Sequence, residues 1–283
     1  MQQIIGSVLL FIGLLYGALI LLAVKKDPES FRQAKGNFWL LSPLEAVIFF
    51  CASLGVSDYL LNTLTARHFR LTRDEELPGT LISCCLLPGT IIAFYLLRAD
   101  NPVDMRTLVI CCICVIIGSL IGSALVMRMD GHLIKKIMCA ALAVSLVFVI
   151  IKMIVSAGQT GEAVGVTGLK LVLAAVLCLV TGIINRFGIP MKPTWTAIFL
   201  LLGLSPLATL TMTLVIGALT PIAGGVSVMK SGLYQKKMAL AALFFGSAGA
   251  IIGTGLAIAI PALTLNVILI IVMIIAIISM VRR

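Results

Sequence analysis

The chain has 283 residues, 61% of them hydrophobic and only 11% charged, with a mean hydropathy of +1.19. A water-soluble domain of this length has no means of hiding so much apolar surface. The net charge of +10 lies between the apolar runs, as in the cytoplasmic loops of membrane proteins, and no basic run interleaved with aromatics marks a nucleic-acid face.

In chain order, the first apolar run is Ile4 to Val24. It is long enough to span, has no basic residues before it and no small-residue cleavage motif, and reads as a retained helix. Lys25 and Lys26 follow at once, which predicts an N-terminus outside and a first loop inside. Further apolar segments lie near 43–63, 80–97, 106–127, 133–155, 168–185, 206–229, 238–258 and 262–281, with 64–79 and 186–205 the most polar connectors. The runs are continuous, so they predict helices and not the alternating strands of a barrel. The connectors leave no room for a soluble domain. All eight cysteines fall inside apolar runs and read as small packing residues.

A shift of 133 residues lays Leu54-Gly55-Val56 on Phe187-Gly188-Ile189, Leu71-Thr72 on Leu204-Ser205, Thr80 on Thr213 and Pro88 on Pro221. With a two-residue adjustment, Gly118 to Ser123 falls on Gly249 to Thr254. The order and nearly constant offset point to duplication, and many transporters are built from two such halves around one substrate. The first segment of each half is interrupted, at Ser53 to Asp58 and at Asn185 to Pro190. Backbone freed there at membrane depth must line a cavity or be buried in protein. If all nine segments cross, Lys and Arg divide 13 to 8 between the sides; if the interrupted segments dip in and return, they divide 15 to 6. The second arrangement obeys the positive-inside tendency better. It predicts an all-helical polytopic protein with an N-terminal helix and basic loop (1–37), a first repeat (38–156) and an inverted second repeat (157–283), each repeat one re-entrant segment and three crossings, with the C-terminus inside.

Glu45 and Asp58 are the acids inside apolar segments. Glu45 lies near a predicted segment end and reads as interfacial. Asp58 sits at the first break with Gly55, Ser57 and, one turn on, Asn62; it reads equally as a helix cap or as a substrate-site carboxylate. Asn185, Arg186 and Gly188 hold the matching place in the second half. Arg186 offers a planar fork to an oxyanion, against the alternative that it reaches the headgroups. Amide groups at broken-helix N-termini hold anions without formal charge. The hydroxyls of Thr80, Thr211 and Thr213 are further candidates. The glycine pairs Gly13/Gly17, Gly118/Gly122 and Gly249/Gly253 read as close-packing motifs. No HExxH, GxSxG or P-loop is present, so no enzyme, cofactor or ATP-driven chemistry is expected of this chain.

Leu202-Gly203-Leu204-Ser205-Pro206, followed by Ala208 and the Thr211 to Thr213 stretch, is similar to the Gly-Leu-Ser-Pro, Ala and Thr-Ser sequence of the TauE/SafE sulfite-exporter family, and the two-glycine helices resemble its third helix in each half. The resemblance covers roughly residues 40–283. It implies a permease for a small anion such as sulfite, a sulfonate or sulfoacetate, moved outward across a bacterial cytoplasmic membrane. A run of three glycines found in the family's broken segments is reduced here to Gly55 and Gly188. The partners expected are the anion, the bilayer and a second copy of the chain. A non-transporting scaffold would pack its broken segments shut with apolar side chains. A cation or neutral-solute carrier would turn Asp58, and not Arg186, to the cavity.

Overall fold

The structure, a computed structural model, describes residues 2–73, 75–99, 103–126, 161–187 and 191–259. Eleven α-helical pieces are described: α1 (Gln2–Lys26), α2 (Pro28–Gln33), α3 (Phe38–Ser53), α4 (Asp58–His68), α5 (Leu77–Arg98), α6 (Met105–Val126), α7 (Gly168–Asn185), α8 (Lys192–Leu201), α9 (Pro206–Ser231), α10 (Lys236–Ala241) and α11 (Ser247–Ala259). A π-helical turn, Ala242–Gly246, joins α10 to α11 without a break. Among the described residues no strand forms, and one isolated bridge pairs Ala163 with Leu204. Among the described residues six helices are long and apolar enough to cross a membrane: α1, α5, α6, α7, α9 and the continuous Lys236–Ala257 stretch. At 1.5 Å per residue, a 22-residue helix covers about 33 Å, the thickness of a hydrocarbon core.

Polar side chains set where these helices begin. Asp27, Asn37, Ser57, Ser205 and Gln235 each accept a backbone N–H of the helix that follows, and Pro28 and Pro206 open α2 and α9 at positions whose N–H needs no partner. Gly232 closes α9 at φ +64°, a conformation that favours glycine.

The connectors collect at two ends. At one end, which we term end A, the 27–37, 69–76 and 232–235 stretches meet. A Cβ at Gly36 would touch Leu71, and Gln235 donates from its backbone to Thr80 and from its side chain to Lys35. The chain therefore enters α3 and leaves α4 at the same end. At end B, Asp104 donates its backbone N–H to Val164, Ser205 does so to Ala163, and Gln2 reaches Val103. Lys170 of α7 donates to Leu202, just past α8, so this second pair also returns to the end it left. The sequence-predicted connector 186–205 is thus partly wrong: it contains α8, which Lys192 and Pro193 made look like a loop.

Small residues set the packing. The glycine pair of α6 lies against α7, where a Cβ on Gly118 or Gly122 would strike the carbonyls of Leu179 and Ile183. The pair on α11 lies against α3, where Gly249 and Gly253 meet the carbonyls of Ala46 and Phe50. Thus α6 packs on α7, and α11 packs on α3. The contacted residues keep the spacing found in the sequence, 46 to 179 and 50 to 183. Between them α5 packs along α9, each with an internal proline, Pro88 and Pro221. The packing reading of these glycines is borne out. The segments expected at 133–155 and 262–281 lie outside the described residues.

Candidate functional site

α3 ends at Ser53, and Gly55 takes φ +90°, where a side chain would be strained. Ser57 then caps α4, its hydroxyl accepting from Leu60 N at 3.4 Å. This places Asp58 in the first turn of α4. On the other side of the bundle α7 ends at Asn185, and α8 restarts with Lys192 at its first position. The two restarts face each other: Lys192 Nζ lies 2.7 Å from Asp58 Oδ1, with side chains 8% and 5% exposed. Cys85 Sγ of α5 donates to Asp58 Oδ2 at 2.9 Å. A lysine at a helix N-terminus opposes the helix dipole and requires a counter-charge; Asp58 supplies it.

Around the pair is a small cavity lined by Ser57, Asp58, Tyr59, Asn185, Lys192 and Thr220, with Met191, Trp195 and Gly217 completing the wall. It holds about 10 Å³ of space for water, roughly one molecule. Trp195 is fixed by its indole N–H, which donates to Thr181 Oγ1 at 2.7 Å and ties α8 back to α7. A larger cavity of about 330 Å³ lies at end A among the connectors. Two of its basic groups are already paired there, Lys236 with Asp27 and Arg73 with Glu76.

Arg186 lies just past the end of α7 and does not line the small cavity. It is 3% exposed, so the headgroup alternative does not hold. Its guanidinium lies against Gly224 of α9, where any Cβ would collide with Nη1, and its stem crosses Gly122 of α6. Tyr59 is the side chain that acts on it electrostatically. Among the described residues none of its three nitrogens has a hydrogen-bond partner.

The structure brings Ser57, Asp58 and Asn185 together around the cavity. Asn62 lies one turn along α4, fully buried, on the Glu45 side of Asp58. Thr80 is elsewhere: it donates to Glu76 and accepts from Gln235 at end A. Thr213 of α9 lies 3.4 Å from Thr196 of α8, hydroxyl to hydroxyl, and Thr211 is buried in the same helix. Gly188 lies outside the described residues. Glu45, read from sequence as interfacial, is instead fully buried. Sequence reasoning also missed Lys192, although the 133-residue shift places it one position beyond the counterpart of Asp58. It was hidden because a lone lysine before a proline looks like a loop residue.

The bundle and its polar, charge-paired breaks define a polytopic membrane protein of the transporter kind. A model of the Sulfite exporter TauE/SafE family matches residues 78–280, more than half of the chain. The chain belongs to that family. The match begins at α5, so the first break with Asp58 precedes it. No curated protein and no solved structure matches the chain.

Proposed function

We propose that this chain is a secondary permease for a small oxoanion or organosulfur anion, such as sulfite or a sulfonate, and that it exports it across a bacterial cell membrane. In this reading residues 38–156 and 157–283 are inverted repeats behind an N-terminal helix (1–37). The N-terminus lies outside and the C-terminus inside, with the basic end A at the cytoplasm. The family supports the substrate class. The return of each broken pair to its own end, and the reciprocal glycine contacts, support the repeat.

The observation that carries the anion reading is Arg186. A guanidinium buried among membrane helices with no counter-charge in reach among the described residues is expensive unless an anion visits it. The N-terminal ends of α4 and α8 add positive partial charge at the neighbouring cavity. Lys192 adds a full one that an arriving anion shares with Asp58. An inside-negative potential, about 2.3 kcal/mol per charge per 100 mV, favours outward movement of net negative charge.

A cation carrier has one observation in its favour: Asp58 lines the cavity and Arg186 does not. That carboxylate is already neutralised by Lys192, so a cation would have to displace a tethered ammonium. Against a scaffold, whose broken segments would be packed shut by apolar side chains alone, the small cavity of about 10 Å³ has Ser57, Asp58, Asn185, Lys192 and Thr220 in its wall.

Sulfite and sulfonate efflux from proteoliposomes tests the proposal. Arg186→Gln should lower flux at least about tenfold, the scale of losing one charge-assisted contact. Wild-type flux in that variant would overturn the assignment of the site. Absence of sulfite and sulfonate flux in the wild-type protein would overturn the permease.

A further inference from the structure

Glu45 of α3 is 0% exposed, and neither carboxyl oxygen has a hydrogen-bond partner among the described residues. Asn62 of α4 and Asp58 are the polar groups that act on it, and Cys84 of α5 feels its charge. Among the described residues, Arg67 and His68 stand in the last turn of α4, and Tyr95 and Arg98 stand in the last turn of α5. On α4, Tyr59 faces Arg186. On α5, Cys85 donates to Asp58. On α10, Lys236 pairs with Asp27, and Lys237 donates to the carbonyls of Arg32, Ala34 and Gly36. The π turn and α11 carry no titratable side chain. Among the described residues no cation is therefore paired with Glu45, and Lys192 is already committed to Asp58.

Among the described residues away from the bundle ends, the buried charged ones are Glu45, Asp58, Arg186 and Lys192. With Glu45 ionised the four sum to zero; with Glu45 neutral they carry one net positive charge. We propose that Glu45 is a proton-binding site linked to the anion: the anion is held when Glu45 takes up a proton from water, and anion and proton travel together. This rests on the permease reading above and adds its coupling ion. Linkage is reciprocal, so a protonated Glu45 raises anion affinity and a bound anion retains the proton. The pair is compatible with export, because a dianion carried with one proton still moves net negative charge down an inside-negative potential.

The test uses the full-length protein in weakly buffered detergent, with sulfite added at several pH values and proton uptake followed by an indicator dye. Sulfite's own protonation is common to wild type and Glu45→Gln, so the difference between them isolates Glu45. About one more proton per sulfite is expected in wild type than in the variant, and above the titration of Glu45 the wild-type affinity should fall more steeply, by about an extra tenfold per pH unit. Should the variant not fold, infrared spectra of wild type give a second readout. The carboxylic-acid carbonyl band should persist to higher pH with sulfite than without. Equal proton counts, or a band that titrates identically with and without sulfite, would overturn the linkage while sulfite flux kept the permease standing. Loss of wild-type sulfite binding and flux would overturn both.

Discussion

The two breaks in this bundle share a backbone plan and differ in charge. In the first, α3 ends, Gly55 turns the chain, and the buried ionisable groups on either side are acids, Glu45 and Asp58. In the second, α7 ends, α8 restarts, and the buried groups are bases, Arg186 and Lys192. The glycine contacts that hold the breaks in place are reciprocal; the charges are not. Packing repeats because a close helix crossing needs only the absence of side chains, whereas one site between two halves needs each half to supply something different. One acid and one base cancel across the gap. What remains is a base, Arg186, and an acid, Glu45, that have no such partner among the described residues.

The largest test of this division is the cross-gap pair. Asp58→Asn alone leaves Lys192 buried and uncompensated and should destabilise the protein by about 3–5 kcal/mol, whereas Asp58→Asn with Lys192→Met should recover most of that loss. Thermal unfolding in detergent measures both. A double variant no more stable than the single one would mean that the pair does not join the halves.

The repeated part of the plan predicts matched effects. Gly118→Leu drives a side chain into the Leu179 carbonyl, and Gly249→Leu does the same at Ala46. Each should lower stability by about 1–3 kcal/mol, as overpacking does, and by similar amounts. A loss confined to one of them would break the equivalence of the two crossings.

The smallest effect concerns how the second broken pair is anchored at end B. Asp104 precedes α6, and its carboxylate accepts from the Thr107 hydroxyl at 2.6 Å and from Thr107 N at 2.9 Å. The same hydroxyl accepts from Val166 N at 3.1 Å, just before α7. These bonds, the Thr107 hydroxyl first, hold the Asp104 carboxyl below its usual range against a weaker opposing effect of burial. A depressed carboxyl contributes stability above its unfolded value and loses it as pH falls through its folded value. The wild-type protein should therefore show a small loss of thermal stability in the acid range, below a pH of about 4. Asp104→Asn should be slightly less stable at neutral pH and lack that step. At end A the exposed Asp27 carboxyl is likewise held below its usual range, by the Lys236 ammonium first, so the difference between wild type and Asp104→Asn isolates the end-B contribution.

Much of this architecture was legible in the residues. Continuous apolar runs of spanning length have one stable form in lipid, since every backbone group must find its partner inside the segment. Gly55 and the Asn185 to Pro190 stretch marked the breaks because glycine and proline act locally. Gly118, Gly122, Gly249 and Gly253 marked the crossings for the same reason. The misreadings share a cause. Glu45 lies close to a segment end and Lys192 within a polar connector, and composition alone places such residues at the membrane surface.

Sequence by itself determined that the chain is a helical membrane protein whose apolar segments are interrupted at Gly55 and beyond Asn185, because length, hydropathy and backbone freedom are properties of short stretches. Only the tertiary structure decided that Asp58 meets Lys192, that Arg186 turns inward against Gly224, and that Glu45 is sealed between α3 and its neighbours. Those outcomes depend on which helix faces which across the bundle, and pairing between side chains more than 130 residues apart leaves no periodic trace in the chain.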